Sequence, residues 1–448
     1  MSKKLVRFVA GLGIGAAVCL LVILTLVIRF RNSDTICRGV SVATVDIGGM
    51  SKDEAGRIVQ SWAKKQASKH ITLVALDRRW SGAQGDMGIR VDWPEAVDRA
   101  FAIGRSDFSL NSIICALTTR GKGKSIAPKM LIDDSRLEKT LRKVALAVNA
   151  PHKDARLRIE NSKLEIDQDV FGLQLEEKAS QVAISKAIKA GQNLIQLPIV
   201  PDPPEVTAKD ASGINTLLAS FSTPFNRGTV GRTHNLTLAA KSIDGVILMP
   251  GGVFSVNDTV GPRLAKRGYR IAQIFVKGRL EDGLGGGVCQ VSSTLFNAAL
   301  LAGLTIKERS PHSQVVPYVS AGRDATVAYG STDFRFENSA KHPIGIISMV
   351  QGSLLVVQIY GSAEDKKEVS LSTSVIKRTA AASKTVVDSS LSEGQKKVVD
   401  KGSSGLQVVL YRKFKGNEGD DVSDSFRSVY RSQAAVVAVG PSAQSSAE

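Results

Sequence analysis

Residues 8–28 carry no charged side chain and follow Lys3, Lys4 and Arg7. An apolar run of that length can cross a bilayer as one helix, and the basic flank matches a membrane anchor with residues 1–7 as a cytoplasmic tail. A secretory signal peptide is the competing reading, but the stretch is long and no small-x-small cleavage site follows it. Arg29, Arg31 and Arg38 put positive charge on the far side as well. Beyond the anchor the pattern alternates between period 2 and period 3.6. Residues 39–47 read as strand leading to a helix capped by Ser51, with Glu54 three residues on. Met87-Gly88-Ile89-Arg90-Val91-Asp92 precedes a helical run ending near Gly104, and Phe171-Gly172-Leu173-Gln174-Leu175 precedes another ending at Gly191. Residues 156–166 alternate in polarity like strands. Residues 37–200 therefore read as two related α+β modules.

Pro201 to Pro204 punctuate the chain, and residues 201–220 read as a linker. The next strong helical signal is Val288, Val291, Leu295, Phe296, Ala299 and Leu300, stopped by Ala302-Gly303. It begins directly after Gly285-Gly286-Gly287, so Cys289 falls in the helix's first turn. Unpaired N–H groups and the helix dipole there favour a thiolate over a thiol of ordinary pKa about 8.5. His312 and Asp324 follow within two short elements. His312 stands before the apolar run 315–319, at the expected start of a strand, and Asp324 opens another strand-like run through Tyr329. Paired strands beside the helix would bring imidazole to sulfur and carboxylate to imidazole, the arrangement of thiol acyl-transfer enzymes. From residue 368 the chain becomes richer in Ser, Lys and Val. Strand-like runs at 369–375, 404–411 and 435–439 are separated by glycines, and residues 442–448 read as a disordered tail.

A lone cysteine on an apolar helix is more often a core residue than a nucleophile, so its loop and its two downstream partners carry the case. No Cys-x-x-Cys pair occurs, which disfavours a zinc site, and no cofactor or metal is expected. His234 and His342 read as solvated surface residues. Among the four cysteines of the 448-residue chain, Cys19 lies in the apolar run, and a Cys37–Cys115 disulfide is compatible with the sequence without being implied by it. The formal charge of +17 comes without a nucleic-acid motif or aromatic-basic interleaving. It suits anionic lipid headgroups and wall polymers as partners, or a solvated basic surface without one.

Several separated motifs together resemble the VanW family, over residues 221–361. They include Asn226, Arg232-Thr233-His234-Asn235, Pro250-Gly251-Gly252-Val253-Phe254-Ser255-Val256-Asn257, Gly261, Gly268-Tyr269, the Gly285 to Thr294 run, Arg309 to Ser313, Gly322 to Val327, Asp333 and Asn338. The family pattern usually has an acidic residue where this chain has Gly252, a departure in a turn away from Cys289, His312 and Asp324. The 37–200 region resembles the peptidoglycan-binding domain often found ahead of VanW domains, with a plain stalk as the alternative. Residues 368–441, ending Val439-Gly440-Pro441, resemble the small all-β module named for its five glycines.

The resemblance implies an α+β multidomain cell-wall protein, its bulk outside the membrane, and a proposed L,D-transpeptidation through the cysteine. Cys289 would attack the carbonyl after the third residue of a stem peptide and expel D-alanine, leaving a thioester. His312, with its tautomer fixed by Asp324, would carry the proton and then activate an acceptor amine, giving a 3-3 cross-link. Backbone N–H groups at Cys289 and Gln290 are candidate oxyanion donors. Gln290, Ser292, Ser313 and Arg323 are candidate substrate contacts, Arg323 being equally compatible with a structural ion pair. With water as acceptor the same groups would make a peptidase, and without chemistry the chain would be a wall-binding protein.

Overall fold

The computed structural model describes residues 3–105, 123–276, 279–416 and 419–441. The chain is a mixed α+β protein that divides into two compact units, residues 1–151 with 172–202, and residues 152–171 with 203–448.

In the first unit, helix α1 (Lys3–Arg31) starts five residues earlier than the apolar run, so Lys3, Lys4 and Arg7 continue the helix instead of forming a separate tail. Residues 11–31 are long and apolar enough to cross a membrane. Leu12, Ile14, Leu20, Leu21 and Ile28 are exposed, as lipid-facing side chains would be. Helix α2 (Lys52–Ala67) is capped as its sequence predicts, with the Ser51 hydroxyl accepting from the Glu54 N–H at 3.2 Å. Strand Ile89–Val91 leads into α3 (Trp93–Ala102), capped by Asp92, and strand Gly172–Leu175 leads into α5 (Glu177–Lys189). Helix α4 (Asp134–Val148) lies between them in sequence. Two apolar clusters organise this unit. One gathers Ile36, Val42, Ile47, Val59 and Val97, and the other Leu73, Ile89, Leu137, Leu141, Ile184 and Leu197. Cys37 is disulfide-bonded, and Cys115, a partner the sequence allows without implying it, lies outside the described residues, as does the 442–448 tail.

The second unit begins where the sequence pattern gave no boundary. Hairpin Arg156–Glu160/Lys163–Asp167 was expected to belong with residues 37–200. Instead Leu157 buries against the central sheet, in a cluster with Val206, Ile214, Ile247 and Ile347, and Gly345 makes room for it: a Cβ there would lie 2.5 Å from the Leu157 side chain. The expected 201–220 linker is likewise structured. It contains the end of strand Ile199–Asp202, a 3-10 turn at Asp210–Gly213 and the start of strand Thr216–Pro224. That strand opens a four-stranded sheet in the order Thr216–Pro224, Leu354–Gly361, Ile344–Gln351, Ile247–Leu248. Helix α6 (Val230–Ile243), short helix α7 (Val256–Val260) and helix α8 (Val288–Leu301) complete this layer. Helix α8 is buried almost all round, which is why its apolar residues occupy more than one face.

The C-terminal β module is continuous with this core. Strands Ser370–Thr379, Gly405–Lys415 and Asp421–Tyr430 form one sheet, and Ser383–Val387, Ala435–Val439 and Lys396–Asp400 another. Leu410 joins the main apolar cluster, and Phe426 meets Phe296 of α8 edge to face at 5.8 Å. Arg412, 2% exposed, donates to the carbonyls of Leu304 at 2.7 Å and Leu300 at 3.3 Å and also pairs with Asp424. A cation thereby caps the C-terminal end of the helix whose first turn holds Cys289.

Replacing Leu157 with Ala is expected to cost about 2–4 kcal/mol of stability in the second unit, visible as a lower midpoint of its calorimetric transition. An unchanged transition would mean that residues 152–171 do not belong to that core.

Candidate functional site

Cys289 is the second residue of α8, and its loop is built from glycine for steric reasons. Gly285 has φ +88° and Gly287 φ +112°, conformations that side chains rarely adopt. A Cβ on Gly286 would lie 2.5 Å from the Gln273 carbonyl, within the hairpin Ile271–Val276/Arg279–Leu284. The Gln290 N–H bonds the Gly287 carbonyl at 3.0 Å, whereas the Cys289 N–H has no partner among the described residues and can meet an oxyanion.

His312 and Asp324 do come to the thiol, but not on strands. Residues 309–334 run as irregular chain between strands Thr305–Glu308 and Arg335–Glu337, contrary to the expected strand pair. Prolines at 311 and 317 and glycine at 322 break the alternation, and side chains of the buried helix replace strand partners. Ser293 accepts from the Ala325 N–H at 2.9 Å, and the Asn297 amide donates to the Arg323 carbonyl at 2.7 Å.

The geometry converges on Asp324, which is fully buried. Its Oδ2 accepts from the His312 backbone N–H at 2.6 Å and from His312 Nδ1 at 2.7 Å. Its Oδ1 accepts from Arg309 Nη2 at 3.1 Å and from the Tyr430 hydroxyl at 2.5 Å. Burial pushes the carboxyl up, but the His312 bonds and the Arg309 charge hold it below the usual carboxylate range. An ionised Asp324 requires His312 to be protonated at Nδ1, which turns Nε2 toward the sulfur. Burial pushes His312 down, yet its bond to Asp324 and its bond and charge interaction with Cys289 raise it to about 9. Burial pushes the Cys289 thiol up, and the hydrogen bond and charge of His312, with the charge of Arg263 behind them, bring it below its ordinary value. Both shifts favour the thiolate–imidazolium pair over the neutral pair, the direction that makes a nucleophile with its proton donor beside it.

Tyr430 comes from the C-terminal module, and burial, followed by the Asp324 charge, pushes its hydroxyl up to about 12, so it stays a donor. It also accepts from the Gly322 N–H at 2.6 Å, while Ser428 on the same strand accepts from Arg309 Nη1 at 2.7 Å. Tyr318 packs near the sulfur, and burial followed by the Cys289 charge pushes its hydroxyl up, so it too remains protonated.

The expected substrate contacts are placed differently. Gln290 is 1% exposed and donates to Thr223 Oγ1 and the Pro224 carbonyl, both at 2.9 Å, so it ties α8 to the sheet. Ser292 is fully buried on the inward side of the helix. Arg323 donates to Asn297 Oδ1 at 2.5 Å and stacks over Phe221 at 4.8 Å, a structural role that occupies its guanidinium. Ser313 is half-buried, and its carbonyl accepts from the Arg431 N–H at 2.7 Å. Gly252 forms the turn anticipated for it, its N–H bonding the Met249 carbonyl at 2.9 Å. Residues that the sequence did not single out, Arg232, Arg263, Tyr318 and Tyr430, stand closer to the chemistry. Arg232 sat inside a quoted motif, which was the one available signal. No cluster of three or more His, Cys, Asp or Glu side chains suited to a metal occurs among the described residues.

Three family models match consecutive stretches of the chain: "VanW like protein" over residues 231–360, "Putative peptidoglycan binding domain" over 80–195 and "G5 domain" over 372–442. Residues 231–360 are a VanW-like domain. Among curated relatives, the uncharacterized protein YoaR of Bacillus subtilis (strain 168) is 44% identical over 173 residues, covering 38% of this chain and 57% of that protein. The vancomycin B-type resistance protein VanW of Enterococcus faecalis (strain ATCC 700802 / V583) is 29% identical over 138 residues, 30% of this chain and 50% of that protein. The chain thus spans about half the length of the curated relatives it matches. Among solved structures, the G5 domain of HP0197 (16% identical, TM-score 0.11) is covered to 97% by 16% of this chain, and that of an IgA1 protease (20%, TM-score 0.13) to 94% by 17%. The VanW stretch contains Cys289, His312 and Asp324, whereas Tyr430 falls in the G5 stretch.

The rate of Cys289 alkylation by iodoacetamide is expected to rise with an inflection below pH 8.5, the approximate ordinary thiol pKa. In His312→Ala the inflection should move upward, because burial then acts on the thiol without its counter-charge. Tyr430→Phe should cost about 1–3 kcal/mol, since the Gly322 N–H loses its acceptor. It should also shift the alkylation profile in the direction of His312→Ala; an unshifted profile would confine Tyr430 to a structural role.

Proposed function

We propose that this VanW-family chain is a membrane-anchored, extracytoplasmic cell-wall protein that transfers acyl groups through Cys289 as an L,D-transpeptidase. The Cys289–His312–Asp324 relay carries the reading, because a thiolate paired with a raised-pKa imidazole is costly to build in a core residue and useful in a nucleophile. The thiolate attacks the carbonyl of the third stem-peptide residue, and the Cys289 N–H receives the oxyanion. The His312 imidazolium then gives its proton to the departing D-alanine amine, leaving a thioester and a neutral imidazole. That imidazole takes a proton from the acceptor amine of a second stem as it attacks, and the collapsing intermediate returns the sulfur and forms a 3-3 cross-link. The peptidoglycan-binding and G5 domains supply wall contact, and α1 holds the chain at the membrane.

The deciding experiment incubates the full chain in detergent, wild type and Cys289→Ala, with tetrapeptide-bearing muropeptides and resolves the products by mass spectrometry. Cross-linked dimers or a thioester adduct in wild type alone are expected. Trimmed monomers would change the acceptor to water, and identical product spectra with muropeptide binding intact would leave a non-catalytic wall-binding protein.

A further inference from the structure

Two arginines border the nucleophile, and neither is matched by an acid. A Cβ on Gly285 would lie 2.7 Å from Arg263 Cγ, and one on Gly287 would lie 2.9 Å from the Arg232 carbonyl and 3.4 Å from Arg232 Cγ. The glycines before Cys289 thus leave room for the Arg263 stem and for the Arg232 carbonyl and Cγ, which seats both arginines against the loop that carries the sulfur. Both cations interact electrostatically with Cys289. Arg263 Nη1 donates to the Gly261 carbonyl at 2.9 Å, while its Nη2 is buried with no hydrogen-bond partner. The Arg232 guanidinium makes no hydrogen bond among the described residues and stands 5.9 Å over the Tyr318 ring, as Arg263 stands 5.9 Å over Tyr329. No carboxylate lies within 4 Å of either guanidinium among the described residues. Asp333, which Arg263 senses, is engaged by the Ser255 hydroxyl at 2.5 Å and by the N–H groups of Asn257 at 3.0 Å and Phe334 at 2.8 Å.

Three other arginines packed against helix α8 or its neighbouring segment are taken. Arg309 has Asp324, Arg412 has Asp424 and Arg323 has Asn297. Half-buried guanidinium donors without partners carry a desolvation cost that a bound anion would relieve, and the planar fork suits a carboxylate.

We propose that Arg232 and Arg263 form a carboxylate clamp that holds the free C-terminal carboxylate of the acyl donor's last residue. The donor class is then a peptide that ends one residue beyond the scissile bond, because one residue of chain reaches only about 3.5 Å. An internal peptide bond would present no carboxylate there. This deepens the acyl-transfer reading and rests on it for the identity of the scissile bond.

The test uses the full chain in detergent carrying Cys289→Ala, so that binding is measured without turnover. The probes are a stem tetrapeptide ending in D-alanine, the same peptide as its C-terminal amide, and an N-acetylated L-dipeptide in acid and amide forms, titrated calorimetrically. The acid should bind about 10–100-fold more tightly than the amide, the range expected of charge-assisted bonds. Arg232→Gln and Arg263→Gln should each erase most of that preference while leaving amide affinity unchanged, and Arg263→Lys should keep part of it. The Lys variant is the readout should a Gln variant lose its melting transition. Equal binding of acid and amide, no binding of any probe, or equal weakening of both forms in the arginine variants would overturn the clamp. So would an arginine variant, made with Cys289 present, whose alkylation profile moves while the acid-to-amide ratio does not, since the two cations would then serve the sulfur alone. An acid preference in the dipeptide pair with no muropeptide product from wild type would keep the clamp and sink the wall-peptide reading. Cross-links formed equally from acid and amide donors would do the reverse.

Discussion

The buried carboxylate of Asp324 is the constraint on which this site depends. A carboxylate that is fully buried survives only if its lone pairs are filled, and here both oxygens are filled from separate parts of the chain. His312 answers it twice and Arg309 once from the irregular segment, and Tyr430 from a module more than a hundred residues away. Each donor needs its own scaffold, so the carboxylate couples helix α8, the 309–334 segment and the C-terminal sheet into one arrangement. The tautomer of His312 and the ionisation of Cys289 follow from that arrangement and not from the three residues alone.

Helix α8 is the second fixed point. Gln290, Thr294 and Thr223 form a small buried network that ties its first turns to the sheet, and Ser293 and Asn297 hold the irregular segment on another side. Arg412 closes its far end. A helix held on every side cannot shift the thiol by much, which suits a site whose hydrogen bonds tolerate errors of only a few tenths of an ångström.

Local patterns carried much of this into the sequence. The 3.6-residue spacing and the glycine triplet placed Cys289 in a first turn, Ser51 and Glu54 marked a cap, and the Gly-containing strands led into α3 and α5 as read. What escaped was long-range. The run 315–319 has strand composition, yet its backbone is held by helix side chains and not by a neighbouring strand, a choice that tertiary packing makes and propensity cannot. The hairpin at 156–167 was legible as a hairpin, but its ownership depended on Leu157 meeting Gly345, nearly two hundred positions away. Gln290 and Ser292 looked polar enough to meet a ligand because sequence does not say which side of a wholly buried helix faces the loop. Arg232, Arg263 and Tyr430 were beyond reach for the same reason, since nothing near them in sequence points to a sulfur.

The position of Tyr430 bears on when the site comes into being. A growing chain emerges in order, so the cysteine, the histidine and the aspartate are all made well before the strand that completes their hydrogen bonding. Until residue 430 has been made and docked, Asp324 lacks one donor. Tuning of the thiol therefore waits on a strand made more than a hundred residues later, and a chain clipped before residue 430 would display Cys289, His312 and Asp324 around a carboxylate short of one donor.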